Sequence, residues 1–260
     1  MLITLTTDFG VSSPYVGALK GSLLSTNSAA QMIDLTHAIG PQNVRQAAVV
    51  LADVTPFFPP GTLHVVVVDP GVGTERKIVY AEIGEQLYLA PDNGVLSYLI
   101  RSVPPGKIIE LTNRKFWRDS VSNIFHGRDI FAPVAGHLAA GVSPTELGCT
   151  LTDIVRLRWF EPQFSEQEVR GEVLNLDSFG NVITNISVAE LRMWLGDSQP
   201  VTYLHGREIL GLQTTYGHCR PGEPIALADS QGRLELAVVN GSAASVTTAK
   251  PGDIVQITRK

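Results

Sequence analysis

Two carboxylates in this chain of 260 residues follow directly on apolar, β-branched runs. Asp8 comes after 2–7 and Asp69 after 64–68. Each has a glycine two residues later, Gly10 and Gly71, which lets the backbone turn sharply and approach a ligand closely. A carboxylate accepts both hydroxyls of a ribose cis-diol, so Asp8 in Thr6-Thr7-Asp8-Phe9-Gly10 fits a nucleoside ligand. It fits equally a structural carboxylate bonding the amides of the turn into a helix near Pro14. The segment Asp69-Pro70-Gly71-Val72-Gly73-Thr74-Glu75-Arg76 is a loop of exposed amides. It lacks the Gly-Lys-Ser or Gly-Lys-Thr of a phosphate loop. It also lacks the third, helix-opening glycine of a dinucleotide fingerprint, because 77–82 reads as a strand. Asp69 and Arg76 are then either an ion pair bracing the loop or a charged pair facing a ligand.

A third cluster, Asn123-Ile124-Phe125-His126-Gly127-Arg128-Asp129, places His126 just before a predicted helix. Partial positive charge and free amides gather there, and histidine is the side chain suited to proton exchange near neutral pH. A lone histidine also serves as an ordinary structural residue. The five other histidines show no HxxxH or HxH grouping, so no metal site is predicted. In the second half, Asp177-Ser178-Phe179-Gly180-Asn181-Val182-Ile183-Thr184-Asn185 stands out. Its Phe-Gly-Asn reads as a turn between strands, or as an aromatic face and an amide offered to a purine; taken alone, the turn is the simpler reading.

The elements that must position these residues alternate in type over the first 150 or so residues. Strands are predicted at 2–7, 32–35 and 64–68, the last continuous enough to be buried on both faces of a parallel sheet. Helices are predicted at 15–24, 44–54, 94–101 and 129–139. Beyond Phe160 the rhythm changes: 169–174 and 234–238 alternate with period two, and 201–204 and 208–212 flank His205-Gly206-Arg207 as a hairpin. The predicted class is α/β, with an N-terminal open, mostly parallel α/β sandwich domain over 1–160 and a C-terminal antiparallel β-barrel domain over 168–260. The polar stretch 161–168, interrupted by Pro162, is the expected linker.

Composition excludes several classes. An apolar share of 44% and a charged share of 17% belong to an ordinary soluble globular protein. No apolar run approaches the roughly 20 residues of a membrane helix, and the first residues lack the pattern of a signal peptide. A net charge of −5 with scattered basic residues argues against a nucleic-acid partner, leaving a small molecule as the default ligand. Cys149 and Cys219, far apart, read as free core thiols of a reducing cytoplasm.

Together, the four stretches resemble the S-adenosyl-L-methionine hydroxide adenosyltransferase family, the water-using relatives of the fluorinase and chlorinase enzymes. The resemblance runs from Thr6-Thr7-Asp8-Phe9-Gly10 through Ser230-Gln231-Gly232 and Asn240-Gly241-Ser242-Ala243-Ala244. It implies an N-terminal α/β domain joined to a β-barrel, and homotrimers with each active site between one subunit's N-terminal domain and its neighbour's C-terminal domain. It implies hydrolysis of S-adenosyl-L-methionine to adenosine and methionine without metal or cofactor. By the same resemblance Asp69, Arg76 and His126 form the catalytic trio, and Asp8 is a ribose-side carboxylate. Asp177 falls near the holder of the methionine amino group, Asn181 beside adenine with Phe179, and Ser230 on methionine. Asn240 and Ala243 lie in the segment offering backbone contacts to adenine. Gly127 stands where a halide-binding serine or glycine would. One departure is visible: many relatives have Asp-Pro-Tyr where this chain has Ser13-Pro14-Tyr15.

The chemistry expected is in-line attack of an oriented water or hydroxide on C5′, with neutral methionine as leaving group. Arg76 would stabilise hydroxide character, Asp69 would fix the arginine, and His126 would orient or deprotonate the water. Two rivals remain in view: a halide-using enzyme of the same fold, and a non-catalytic adenosine or S-adenosyl-L-methionine binding module. The charged trio argues against both. A methyltransferase lacks support, since the glycine-rich loop after the first strand is absent.

Overall fold

A computed structural model describes all 260 residues, which divide into two compact units, 1–157 and 158–260. In the first, β1 (Leu2–Thr7), α1 (Pro14–Thr26), β2 (Gln31–Thr36), α2 (Val44–Val54) and β3 (Leu63–Val67) follow in sequence. Then come β4 (Ile78–Ile83), β5 (Gln86–Pro91), β6 (Pro105–Leu111), α3 (Ala132–Ala139) and β7 (Gly148–Thr150). The sheet order is β2-β1-β3-β5-β4-β6-β7. The run β2-β1-β3-β5 is parallel, and β4, β6 and β7 extend it antiparallel. The α/β sandwich expected from the sequence is therefore present.

Every residue of β3 is buried, as its apolar run predicts for a strand covered on both faces. On one face Ile3, Leu5, Val65 and Val67 pack with Leu19 and Leu23 of α1 and Val134 and Leu138 of α3. On the other, Val66 and Val68 meet Ala47 and Leu51 of α2. Each fully buried aliphatic side chain stabilises by about 1.5–3 kcal/mol. Local signals set the helix ends. Ser13 Oγ accepts the Tyr15 N–H at the start of α1, with Pro14 in the first turn, and Asn43 Oδ1 accepts the Gln46 N–H at the start of α2.

Two predicted helices differ from expectation. Residues 94–101 form successive tight turns ending in a 3₁₀ turn at Leu99–Arg101. Asn93 Oδ1 takes the Val95 N–H and Ser97 N–H bonds back to Gly94 C=O, so the segment opens in tight turns, and Pro104 bars its continuation as helix. The helix expected over 129–139 starts as a π-turn, Gly127–Phe131, and becomes α-helical only at Ala132. Pro133 is the cause: it has no N–H for the Asp129 carbonyl and its ring crowds that group.

The second unit contains β8 (Gln163–Phe164), β9 (Glu168–Leu176), β10 (Val182–Ser187), α4 (Val188–Leu195), β11 (Pro200–Leu204) and β12 (Arg207–Leu210). They are followed by β13 (Pro224–Ala228), β14 (Arg233–Val238), α5 (Ala243–Thr247) and β15 (Ile254–Arg259). The antiparallel order is β12-β11-β15-β9-β10-β14-β13, with β8 on β9, so part of the stretch read as linker is strand. Gln213 N–H donates to Ala226 C=O at 2.7 Å just beyond β12, nearly closing a barrel around Val173, Ile186, Leu234, Leu236 and Ile257. The β11–β12 hairpin turns on His205 and Gly206 at φ 49° and 74°, a two-residue turn, and Arg207 already belongs to β12. Helix α4 was not expected, although Ser187-x-x-Glu190 before an apolar run is a start signal; Ser187 Oγ accepts the Glu190 N–H at 3.3 Å. Cys149 is exposed and Cys219 half-buried, so neither is a core thiol. No helix is long and apolar enough to cross a membrane.

Candidate active site

In the β1–β3 pairing Thr7 stands opposite Val67, so Asp8 and Asp69 leave neighbouring parallel strands at the same end. That carboxyl end is where open α/β sheets bind ligands. Asp69 grips Arg76 through both oxygens: Arg76 Nε lies 2.9 Å from Oδ1 and from Oδ2, and Nη2 lies 2.5 Å from Oδ2. The pair is well shielded, with side-chain exposures of 4% for Asp69 and 10% for Arg76, so its charge–charge attraction is little screened. Arg76 Nη2 also lies 2.7 Å from His126 Nδ1. The predicted trio is thus one bonded unit, with arginine in the middle.

This arrangement fixes the histidine tautomer. A guanidinium only donates, so His126 Nδ1 accepts and the ring proton sits on Nε2. Burial pushes the His126 pKa below its ordinary value, and the Arg76 charge pushes it further, against the weaker pull of Asp69 and Asp129. The ring is therefore a neutral donor at Nε2 near pH 7. Arg76 and His126 form part of the wall of a polar cleft of about 910 Å³, with Lys77, Arg114, Trp117 and Asn123 among its other lining residues. Asn123 belongs to the cluster the sequence singled out, but nothing in the sequence marked Lys77 or Trp117 as its neighbours; only the tertiary fold gathers them.

Asp8 Oδ2 accepts the Gln42 N–H at 2.8 Å, and the turn it sits on is held from behind. Thr7 Oγ1 accepts the Phe9 N–H at 3.2 Å and bonds His37 Nδ1 at 2.9 Å, and Gly10 N–H donates to the His37 carbonyl at 2.9 Å. His37 Nε2 lies 3.1 Å from Asp34 Oδ1, though off the hydrogen-bond line. Gly127 is buried against Phe9, Val67 and Phe125; a Cβ there would come within 3.1 Å of Val67 Cγ1. Ser13, which replaces the acidic residue the resemblance expects, is the N-cap of α1.

In the second unit Asp177 is the keystone of the β9–β10 turn. Its Oδ1 accepts from Phe179 N at 2.9 Å and Asn181 N at 2.8 Å, and its Oδ2 from Asn181 Nδ2 at 2.9 Å. Phe179 is left 78% exposed, with a ring face free for stacking. Gly180 has φ 83°, and a Cβ there would fall 2.1 Å from Ser242 Oγ. The Ala244 N–H donates to its carbonyl at 2.8 Å. The structure thereby brings Asp177, Phe179 and Asn181 to the segment holding Asn240 and Ala243. Ser230 is exposed at the β13–β14 tip beside Asp229. Asp177 and Asp229 both act on buried Glu235, whose pKa is raised by burial and by their charges and which accepts from Tyr216 Oη at 2.5 Å. Sequence reasoning missed Glu235 and Tyr216, since a strand glutamate carries no signal of burial.

The first unit is thus an α/β domain with Asp69, Arg76 and His126 bonded together beside the carboxyl end of β3, and the second is a β-barrel. Residues 3–148 match the N-terminal domain and residues 171–256 the C-terminal domain of the SAM hydroxide adenosyltransferases. The chain belongs to that family. It is 36% identical over 265 residues to the (R)-S-adenosyl-L-methionine hydrolase of Salinispora tropica, covering 98% of this chain and 97% of that protein. It is likewise 36% identical over 260 residues to the Thermus thermophilus protein of the same name, covering 96% of each. A fluorinase of an Actinoplanes species is 27% identical, covering 99% of this chain and 97% of that one. Among solved structures, a conserved Thermotoga maritima protein superposes with a TM-score of 0.92 at 38% identity, covering 100% of both chains.

Proposed function

We propose that this protein hydrolyses S-adenosyl-L-methionine to adenosine and L-methionine, acting on the (R) sulfonium epimer for which its relatives are named. The observation that carries the reading is the Asp69–Arg76–His126 chain of hydrogen bonds, of which Arg76 and His126 line a polar cleft. Water attacks C5′ as the C5′–S bond breaks. The bond pair moves to sulfur, giving a neutral thioether, so the leaving group needs no acid and the reaction no cofactor. Arg76 favours hydroxide character in the bound water, Asp69 holds the guanidinium in place, and the His126 Nε2–H orients the oxygen in line. His126 is an orienting donor in this scheme, and the water's proton leaves to solvent through the cleft.

Asp8 suits the ribose diol. Phe179, Asn181 and the 240–243 backbone suit adenine, and Asp177 with Ser230 suits the methionine end. The halide alternative is disfavoured by Arg76 and the His126 Nε2–H, polar partners suited to holding a water where a halide would have to be desolvated. A cytoplasmic homotrimer is part of the same reading. Exposed Val11, Tyr15 and Ile124 in one unit and Phe179 in the other are apolar surfaces that assembly would cover; light scattering should return three times the chain mass.

The deciding experiment is incubation with S-adenosyl-L-methionine, enriched in either sulfonium epimer, in ¹⁸O-water. Adenosine labelled at its 5′ oxygen with free methionine, faster from the (R) epimer, is expected. S-adenosylhomocysteine, 5′-chloroadenosine in chloride, or unchanged substrate would each overturn the reading. Asp69→Ala should abolish turnover while leaving adenosine binding largely intact.

A further inference from the structure

The Asp129 side chain is 0% exposed, yet the mechanism makes no use of it. Its Oδ1 accepts from Arg128 Nε at 2.6 Å, and its Oδ2 accepts from Arg128 Nη2 and from the Ser122 N–H, both at 2.9 Å. Arg118 Nε lies 3.6 Å from Oδ1. A buried carboxylate is tolerated when donors satisfy both oxygens, and here they do. The backbone of the same residue is committed too: its N–H donates to Phe125 C=O at 3.2 Å, and its C=O accepts the Arg118 N–H at 2.9 Å. The second bond is possible because Pro133 cannot claim that carbonyl.

Asp129 therefore fastens both ends of the segment 118–129, which carries Asn123 and His126 to the cleft. From the other side, Gly73 at φ 77° packs so closely on Asn123 that a Cβ would fall 2.2 Å from its carbonyl oxygen. The loop of Asp69 and Arg76 and the loop of His126 thus meet at a fixed spacing only if 118–129 keeps its shape.

We propose that Asp129 is a positioning residue: by clamping 118–129 it sets His126 Nδ1 against Arg76 Nη2. The inference rests on Arg76 and His126 being the reacting centre.

Asp129→Asn keeps the size but removes the charge and one acceptor, leaving an Arg128 or Ser122 donor without a partner. The folded variant, checked by circular dichroism, should lose on the order of 10- to 100-fold in kcat with KM little changed, as expected for a misplaced reacting group. ¹⁵N spectra should show the His126 ring as a fixed Nε2–H tautomer in the wild type and as a tautomer mixture in the variant. Wild-type kcat per folded molecule with unchanged ring signals would overturn the proposal, since a merely structural carboxylate would lower thermal stability alone. If Asp129→Asn does not fold, Arg128→Gln removes two of the donors from the partly exposed side. It should shift the same two readouts, and wild-type values there overturn the proposal equally. A wild type that does not turn over S-adenosyl-L-methionine refutes the hydrolase reading instead, and the ring signals still judge Asp129.

Discussion

Arg76 Nη2 and His126 Nδ1 are 2.7 Å apart, and that one bond decides which ring nitrogen carries the proton. With Nδ1 accepting, Nε2 is a donor, so His126 orients a nucleophile better than it deprotonates one. His126→Gln, which still offers an amide N–H, should keep kcat within about tenfold of wild type, whereas His126→Ala should lose about 100-fold or more. Equal losses in the two variants would restore His126 as the base. Because burial and Arg76 depress the ring pKa, kcat should be level above about pH 6.5 and decline only in acid, as Nδ1 gains a proton and repels the guanidinium. An acid limb centred at or above that pH contradicts the tautomer.

Much of the fold was legible because its signals are local. The run 64–68 announced a strand covered on both faces, and α2 ends before Pro56 as its breakers require. What sequence could not show was cooperation at a distance. The Asp129 carbonyl is freed by Pro133 but claimed by Arg118, eleven residues upstream of Asp129, so the π-turn beneath His126 has no periodic signature. The trio was named by resemblance, and its order, with arginine between acid and histidine, comes from the fold. Asp177 shows the limit of local reading: it does brace a turn, as the simpler reading holds, and the braced turn is what presents Phe179 and Asn181.

His64 makes stability depend on pH. Its ring is fully buried, bonded through Nδ1 to Thr4 Oγ1 at 2.7 Å, and burial pushes its pKa down to about 4. The folded ring holds a proton less tightly than the unfolded chain, so protons favour unfolding. Stability is lost as pH falls below about 6.5 and the loss is complete near about 4, amounting to roughly 3 kcal/mol from this group. Urea unfolding at pH 7 and pH 5 should show a smaller acid loss in His64→Gln than in the wild type. Identical losses would remove His64 as the cause.

Thr7 ties the Asp8 turn to His37. Thr7→Val preserves shape in the fully buried site but strips partners from the Phe9 N–H and His37 Nδ1. An unsatisfied buried group costs about 1–3 kcal/mol, and some of that falls on the order of the turn. KM should rise about 5- to 10-fold, with adenosine affinity falling in step and kcat nearly unchanged. A loss confined to kcat would separate this turn from ribose binding.

Gly180 tests the second unit alone. At φ 83° a side chain costs about 1–2 kcal/mol from backbone strain, and the added Cβ would also overlap Ser242 Oγ, forcing the Phe-Gly-Asn turn away from 242–244. The turn carries no reacting group, so Gly180→Ala should act on the ground-state complex and transition state alike. KM and the adenosine dissociation constant should each rise about tenfold or more while kcat at saturation stays near wild type. Calorimetry with adenosine beside steady-state kinetics reads both. Unchanged adenosine affinity in a folded Gly180→Ala variant would mean that Phe179 and Asn181 form a turn and nothing more.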